Sequence, residues 1–151
     1  MTQKSLDQYI KLYNEKCSKY PDNSKDILDP VDRIIVIGDL HADYTAMIKL
    51  FEKLGLIKVH NKNIVWDAKP KNTVVVQLGD QLDGGGRGIG ESAGELAIIN
   101  FMEKIHTQAY RHGGGVYSLI GNHEIMNLMG DFRYASKKDI KMQGGEELRR
   151  E

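Results

Sequence analysis

Three short polar segments of this 151-residue chain carry the residue types that could do chemistry. They are Gly38-Asp39-Leu40-His41, Gly79-Asp80-Gln81-Leu82-Asp83 and Gly121-Asn122-His123-Glu124. Each segment begins with a glycine, which lets the backbone turn sharply and approach a ligand closely. Two carboxylates, an imidazole and a carboxamide oxygen form a mixed oxygen and nitrogen donor set. Such a set suits Mn, Fe or Zn better than Ca or a thiophilic ion.

The middle segment raises the question of how its negative charge is balanced. Asp80 and Asp83 lie three positions apart, and the glycine-rich stretch GGGRG follows at residues 84–88. Like charges repel and glycines cost folding entropy, so a cation or a phosphate group should offset that cost. The stretch lacks the Lys-Ser/Thr of a P-loop and does not match G-x-G-x-x-G, which argues against those kinds of nucleotide site.

The residues before the three segments are predicted to be strands. RIIVIGD (33–39) and TVVVQLGD (73–80) are continuous apolar runs, typical of strands buried on both faces, and GVYSLIG (115–121) is a third strand. Parallel strands bring their carboxyl ends to one edge of an open α/β sheet, where ligands bind. One Gly-Asp pair after a strand would usually be an ordinary turn, but three such ends in register favour a site. The residues expected at that edge are Asp39, His41, Asp80, Asp83, Asn122 and His123.

Helical patterns lie between the predicted strands. Asp43 is placed to cap a helix that runs to Gly55, and Ser92 and Glu95 have capping-box spacing before a second helix with an apolar face. A small hairpin is predicted around Asn61–Asn63. The resulting βαβαβ series predicts an α/β fold, with a mainly parallel sheet and helices packed against it.

Composition argues against several classes of protein. Acidic and basic residues balance at 21 each without a basic stripe, so the electrostatic footprint of a nucleic-acid binder is missing. The apolar runs are strand-sized and the amphipathic N-terminus has no signal-peptide core, so no membrane segment is predicted. Cys17 is the only cysteine, which rules out an internal disulfide and favours a reducing, cytoplasmic location. His60, His106 and His112 are expected on the surface.

Taken together, the motifs GDLHAD, GDQLDGGGRG and GNHE resemble the three successive signatures of calcineurin-like metallophosphoesterases. With LGDQLD, the stretch GGGVYSLIGNHEIMNLMGDFRY is most similar to the Shewanella-like branch of the phosphoprotein (serine/threonine) phosphatases. The resemblance spans about residues 32–135 and implies a βαβαβ half of a four-layer α/β/β/α sandwich. It also implies a metal-dependent phosphomonoesterase, in which hydroxide activated by two metal ions attacks a phosphorylated protein or a small phosphate ester.

The resemblance also implies which residues bind the two divalent ions, expected to be Mn, Fe or Zn. Asp39 and His41 would hold one ion, Asp80 would bridge both, and Asn122 would hold the second. The family has a second half that supplies further histidine ligands, and no histidine follows His123 in this sequence. We therefore expect the second metal site to be incomplete in this chain.

The same resemblance assigns the catalytic roles. His123 would be the general acid near the leaving oxygen, paired with Asp83, and Arg87 would bind the phosphate. The family usually has this arginine directly after the second aspartate of the middle signature. Here the glycines at 84–86 intervene, so Arg87 can take that role only if the loop folds back. Ala42 stands where the family commonly has glycine.

The chain is therefore expected to correspond to the N-terminal half of such an enzyme. Residues 1–31 would form a helix and a connector, residues 32–135 a partial metallophosphoesterase domain, and residues 136–151 a polar tail. The alternative is a truncated or split non-catalytic fragment that binds a metal or a partner. An open sheet face and an unpaired edge strand would then favour a complementary chain or a second copy.

Overall fold

A computed structural model describes residues 28–61, 63–85 and 94–150, together with Lys11 and Glu15. The predicted N-terminal helix lies almost entirely outside these residues. The chain divides into two compact units, Met1–Pro30 and Val31–Glu151. The described part of the second unit contains five strands and five helices. In chain order these are β1 (Arg33–Ile37), α1 (Tyr44–Lys53), β2 (Ile57–His60), β3 (Asn63–Trp66), β4 (Thr73–Gln77), α2 (Glu95–Tyr110), β5 (Gly115–Ser118), α3 (Asn122–Leu128), α4 (Lys137–Met142) and α5 (Glu146–Arg150).

The three predicted strands form one parallel sheet in the order β1-β4-β5. Ile37 at the end of β1 lies beside Gln77 of β4, which in turn lies beside Ser118 of β5. All three carboxyl ends therefore reach the same edge, and the predicted α/β class with a mainly parallel sheet is confirmed. β2 and β3 form a separate antiparallel hairpin at the predicted position, with Ile57 opposite Trp66.

Helices α1 and α2 cover one face of the sheet and build the core. The carboxylate of Asp43 caps α1 by accepting a hydrogen bond from the backbone N–H of Ala46 at 2.8 Å. Gly55 follows the helix with φ +66°, a left-handed conformation that glycine adopts without strain. Phe51 of α1 and Phe101 of α2 are buried and make an edge-to-face contact with ring centroids 5.1 Å apart. Both predicted ends of α1 are therefore confirmed.

The start of α2 differs from the prediction. Its N-cap is Gly94 and Glu95 is its first residue, whereas the capping box required Glu95 to be the third. Ser92 lies outside the described residues. The Glu95 carboxylate is instead fully buried and accepts hydrogen bonds from the backbone N–H of Asp83 and from Arg149. The capping-box interpretation was wrong because this side chain bonds to distant parts of the chain.

The face of β1 opposite the helices is exposed, although both faces were expected to be buried. Ile34 is 63% exposed and Val36 is 60% exposed, whereas Ile37 packs into the core. Such exposure means that no element in the described part of the unit covers this side of β1. The apolar residues on this face of β1 are therefore open to solvent.

Residues 136–151, expected as a polar tail, contain the two short helices α4 and α5. Ser136 caps α4 by accepting a hydrogen bond from the backbone N–H of Asp139 at 3.0 Å. Asp139 is only 2% exposed, and the side chain of Arg149 is only 6% exposed. Much of the polarity of this segment thus belongs to buried contacts rather than to a solvated tail.

Of the three histidines expected on the surface, two are exposed and one is partly buried. His60 and His112 are exposed as expected, but His106 is partly buried, and its Nδ1 lies 2.8 Å from the Val116 carbonyl oxygen. In the ranges that the structure describes, no helix has both the length and the apolarity needed to cross a bilayer.

Candidate active site

Three buried polar side chains meet where the parallel strands end. His41, Asp80 and His123 offer ligand atoms that all lie within 4.8 Å of one another. The rings of His41 and His123 stand edge to face, with centroids 4.8 Å apart. One carboxylate and two imidazoles are the donor types that Mn, Fe and Zn accept, so the cluster fits a divalent cation.

Asp39 lies at the rim of this cluster. Its side chain is 62% exposed, and its Oδ2 is 3.5 Å from Nε2 of His41. Nδ1 of His41 lies 3.2 Å from the carbonyl oxygen of Leu82. A carbonyl oxygen only accepts, so this contact requires Nδ1 to be the donor. Metal-binding histidines are commonly oriented in this way by a second partner.

Two predicted site residues, Asn122 and Arg87, are not among the three buried side chains of the cluster. Asn122 is the first residue of α3 and is exposed. Arg87 lies outside the described residues. The loop before it is held at Gly85, whose backbone N–H donates to the carbonyl oxygen of Tyr134 at 2.9 Å. A metal role for Asn122 and a phosphate role for Arg87 both stay predictions.

Asp83 and His123 form a buried pair beside the cluster. Nδ1 of His123 lies 2.9 Å from Oδ2 of Asp83. The Asp83 side chain is fully buried and that of His123 is 6% exposed. The same Asp83 oxygen also accepts a hydrogen bond from Nδ2 of Asn127 at 2.9 Å. The structure thus brings together the two residues predicted to work as an acid and its partner.

Glu124 ties together the loops that follow β4 and β5. Its Oε2 accepts hydrogen bonds from the backbone N–H groups of Asp80 at 2.7 Å and Gly121 at 2.8 Å. Its Oε1 accepts from Gln81 at 2.8 Å and from Leu82 at 3.3 Å. Sequence reasoning missed this role, although an acidic residue in the first turn of a helix was a usable signal.

The backbone of the site is strained at four positions that are not glycine. His41, Ala42, Asp80 and Asp83 have φ values of +43°, +60°, +53° and +64°. Each left-handed residue of this kind costs of order 1 kcal/mol and persists only where the surroundings hold it. One contact that holds Asp80 in place is a hydrogen bond from the backbone N–H of His123 to its Oδ1, at 2.9 Å.

The glycines before the three segments do not all serve one purpose. A Cβ on Gly79, which has φ +102°, would overlap the backbone of Gly121. A Cβ on Gly121 would in turn overlap the carboxylate of Asp80. Gly38 has nothing within 4 Å of its added Cβ. Close approach therefore explains two of the glycines but not Gly38.

Behind the Asp83–His123 pair lies a buried ionic cluster that the sequence did not predict. Oε2 of Glu95 accepts hydrogen bonds from Arg149 and from Gln143, both at 2.8 Å. Burial raises the pKa of the nearby Asp139 carboxyl, a hydrogen bond from Ser136 opposes this, and the charge of Glu95 adds to it. The tail helices therefore reach the rear of the site.

Comparison with known proteins identifies the family of this chain. The family model for calcineurin-like phosphoesterases matches residues 32–148. Shewanella-like protein phosphatase 2 of Arabidopsis thaliana is 42% identical over 109 residues, covering 72% of this chain and 25% of that protein. Shewanella-like protein phosphatase 1 of Plasmodium berghei is 36% identical over 110 residues, covering 73% of this chain and 27% of that protein.

A solved structure shares the fold. The crystal structure of a cold-active protein-tyrosine phosphatase from a psychrophilic Shewanella species superposes with a TM-score of 0.64. The two are 24% identical, over 80% of this chain and 33% of that one. The chain spans between a quarter and a third of the length of these three relatives. The match over residues 32–148 shows that the chain belongs to the calcineurin-like phosphoesterase family.

Proposed function

We propose that this chain carries the N-terminal half of a metal-dependent phosphomonoesterase of the serine/threonine protein phosphatase type. The observation that carries the proposal is the buried cluster of His41, Asp80 and His123 beside the carboxylate of Asp83. Family membership supports hydrolysis of a phosphate ester, and two relatives are named protein phosphatases. The substrate would be a phosphorylated protein or a small phosphate ester.

Four side chains would bind the metal ions. Asp39, His41 and Asp80 would hold one divalent ion, and Asp80 and Asn122 would contribute to a second. Mn, Fe and Zn suit these donors, and manganese is our first choice for the experiments. When bound, the ions would supply positive charge that polarises a phosphate ester and activates water. The contact of His41 Nδ1 with the carbonyl oxygen of Leu82 supports the assignment, because it leaves Nε2 as the nitrogen that would bind a metal.

His123 would protonate the leaving oxygen of the ester. Its Nδ1 faces Asp83 at 2.9 Å, so the carboxylate would orient the ring for this role. The proton would then be delivered from Nε2. Arg87 would bind the phosphate from the glycine-rich loop.

We also propose a reducing, cytoplasmic setting, which Cys17 as the sole cysteine supports.

Manganese-dependent hydrolysis of a chromogenic phosphate monoester tests this proposal. We expect slow turnover that rises as manganese is titrated into the metal-free chain and is lost in Asp80→Asn. Asp67→Asn is the matched control, because Asp67 forms a salt bridge with Lys58 at 2.7 Å outside the cluster. Turnover that needs no metal, or that survives in Asp80→Asn, would overturn the proposal.

A second candidate function is a non-catalytic fragment that binds a complementary chain. The exposed side chains of Ile34 and Val36 favour it, since they leave an apolar face of the sheet open. We propose that polypeptide equivalent to the rest of the longer relatives covers this face. Co-purification with the remaining part of the Arabidopsis relative should give a complex that Ile34→Glu with Val36→Glu abolishes. If sedimentation shows instead that the wild-type chain forms a dimer, the exposed face of the sheet binds a second copy of the chain.

A further inference from the structure

We propose that Arg149 is a positioning residue for the Asp83–His123 pair, which it holds through Asn127 and Glu95. The inference rests on the proposed function, because the pair matters for hydrolysis only if His123 donates a proton. Arg149 lies on α5, one position beyond the family match, which ends at residue 148.

The guanidinium of Arg149 is buried among partners rather than in solvent. Its side chain is 6% exposed. Burying a cation is unfavourable unless opposite charges and hydrogen bonds surround it, so each of its contacts is expected to matter. The guanidinium also lies over the ring of Phe132, 5.3 Å from the ring centroid.

Arg149 determines which way the side-chain amide of Asn127 points. Its Nε and Nη2 donate to Oδ1 of Asn127 at 3.0 Å and 2.6 Å. Since a guanidinium has only donors, the amide oxygen must face it and the NH₂ group must face away. That NH₂ group donates to Oδ2 of Asp83 and to the carbonyl oxygen of His123, both at 2.9 Å. A reversed amide would point its oxygen at the Asp83 carboxylate.

Arg149 also holds the backbone of Asp83, through Glu95. Its Nη1 donates to Oε2 of Glu95 at 2.8 Å. The other carboxylate oxygen, Oε1, accepts the backbone N–H of Asp83 at 3.0 Å. Asp83 has φ +64°, so this hydrogen bond restrains a conformation that the residue rarely adopts.

The guanidinium of Arg149 also lies close to two buried carboxylates, those of Asp83 and Glu95. Asp83 and Glu95 are both fully buried carboxylates. Oδ1 of Asp83 accepts no hydrogen bond within the described part of the chain and lies 3.7 Å from Nη2 of Arg149. One guanidinium therefore faces both carboxylates, and its removal would leave two buried carboxylates without this partner.

The test compares Arg149→Met and Arg149→Lys with Arg150→Met in the intact, metal-free chain. Arg150 is the neighbouring exposed arginine and also lies over Phe132, 4.9 Å from the ring centroid, so it controls for charge and stacking. The readout is the NMR signal of the hydrogen-bonded Nδ1 proton of His123, assigned with Asp83→Asn. We expect it to persist in Arg150→Met and to shift or disappear in Arg149→Met.

Arg149→Lys keeps the charge but cannot donate the paired hydrogen bonds to Asn127. It should fold, as checked by circular dichroism, and show an altered His123 signal even if Arg149→Met does not fold. A folded Arg149 variant with an unchanged signal would overturn the inference.

With manganese present, kcat should fall by about 10–100-fold in Arg149→Met, with KM nearly unchanged, as for partners that orient site residues. Equal turnover in Arg149→Met and wild type would also overturn the inference. A wild-type chain without turnover would count against the proposed function, and the NMR signal of His123 would still decide the role of Arg149.

Discussion

Asp80 and Asn122 differ in charge and burial at the metal site. Asp80 is buried and accepts a hydrogen bond from the backbone of His123, whereas Asn122 is exposed. We expect Asp80→Asn to remove metal binding more completely than Asn122→Ala, because only the first change deletes a negative charge, at the residue that would contribute to both metal sites. Elemental analysis of the purified variants measures this. Equal losses would contradict a bridging role for Asp80.

His123 stands between two roles, since its ring belongs to the metal-capable cluster and also contacts Asp83. We expect His123→Ala to keep nearly all its metal, while the phosphatase rate falls by about 10²–10⁴, the usual contribution of a general acid. The exposed His112→Ala is the matched control. Loss of the metal in His123→Ala would make His123 a ligand instead.

Asp139 should make stability depend on pH. Burial raises the pKa of its carboxyl above 3.8, so the native state keeps a proton that the unfolded chain has already lost. This contribution favours folding at low pH and is lost as the pH rises from 3.8 through the higher native pKa. We therefore expect the free energy of unfolding of Asp139→Asn to increase relative to that of the wild type as the pH rises through that window.

Urea denaturation at several pH values measures this difference, and a constant difference would contradict it. Asp131→Asn is the control with the opposite sign, because a hydrogen bond from Arg133 lowers the pKa of the Asp131 carboxyl. The wild-type contribution of Asp131 is present above its unfolded pKa and is lost as the pH falls through the lower native value.

At the scale of elements, α3 is only seven residues long, yet it organises the loops of the site. We expect Glu124→Gln to lower the free energy of unfolding by about 1–3 kcal/mol, because the amide nitrogen would face backbone N–H groups that need an acceptor. Urea denaturation followed by the fluorescence of Trp66, the only tryptophan, measures this. The exposed Glu52→Gln on α1 is the control, and equal stability of the two variants would contradict the role of Glu124.

The elements that the sequence predicts are those whose signals are local. Continuous apolar runs identify β1 and β4, and Asp43 and Gly55 mark the ends of α1. The start of α2 was not predictable, because the bonds of Glu95 depend on Arg149 far along the chain. The exposure of Ile34 was not predictable either, since an apolar strand has the same pattern whether or not its second face is covered.

The candidate site also has contacts that could be predicted from the sequence and contacts that could not. Convergence of Asp80 with His123 follows from parallel strands that end at one edge, so it was predictable. The contacts of Arg149 were not, because a polar residue on a short polar helix normally lies on a solvated face. Only packing distinguishes a buried ion pair from such a face.

For the whole molecule, we expect the chain alone to bind one metal ion firmly and a second weakly. Three ligands, Asp39, His41 and Asp80, make a credible site with water completing the shell. The second ion would share Asp80 and have the neutral amide of Asn122, which gives less binding energy. Titrating manganese into the metal-free chain, with turnover measured at each step, tests this. Two tight equivalents with rapid turnover would show that another histidine or a second copy of the chain completes the site.

The distance along the chain between Arg149 and its partners bears on the order of folding. Arg149 follows Glu95 by 54 positions and Asn127 by 22. Contacts between distant positions require closing a long loop, so they form slowly relative to local ones. We expect the hairpin of β2 and β3 and the helices to form while the carboxylate of Asp83 still lacks its cation. A folding chain would then have its local elements before its acid–base pair is in place.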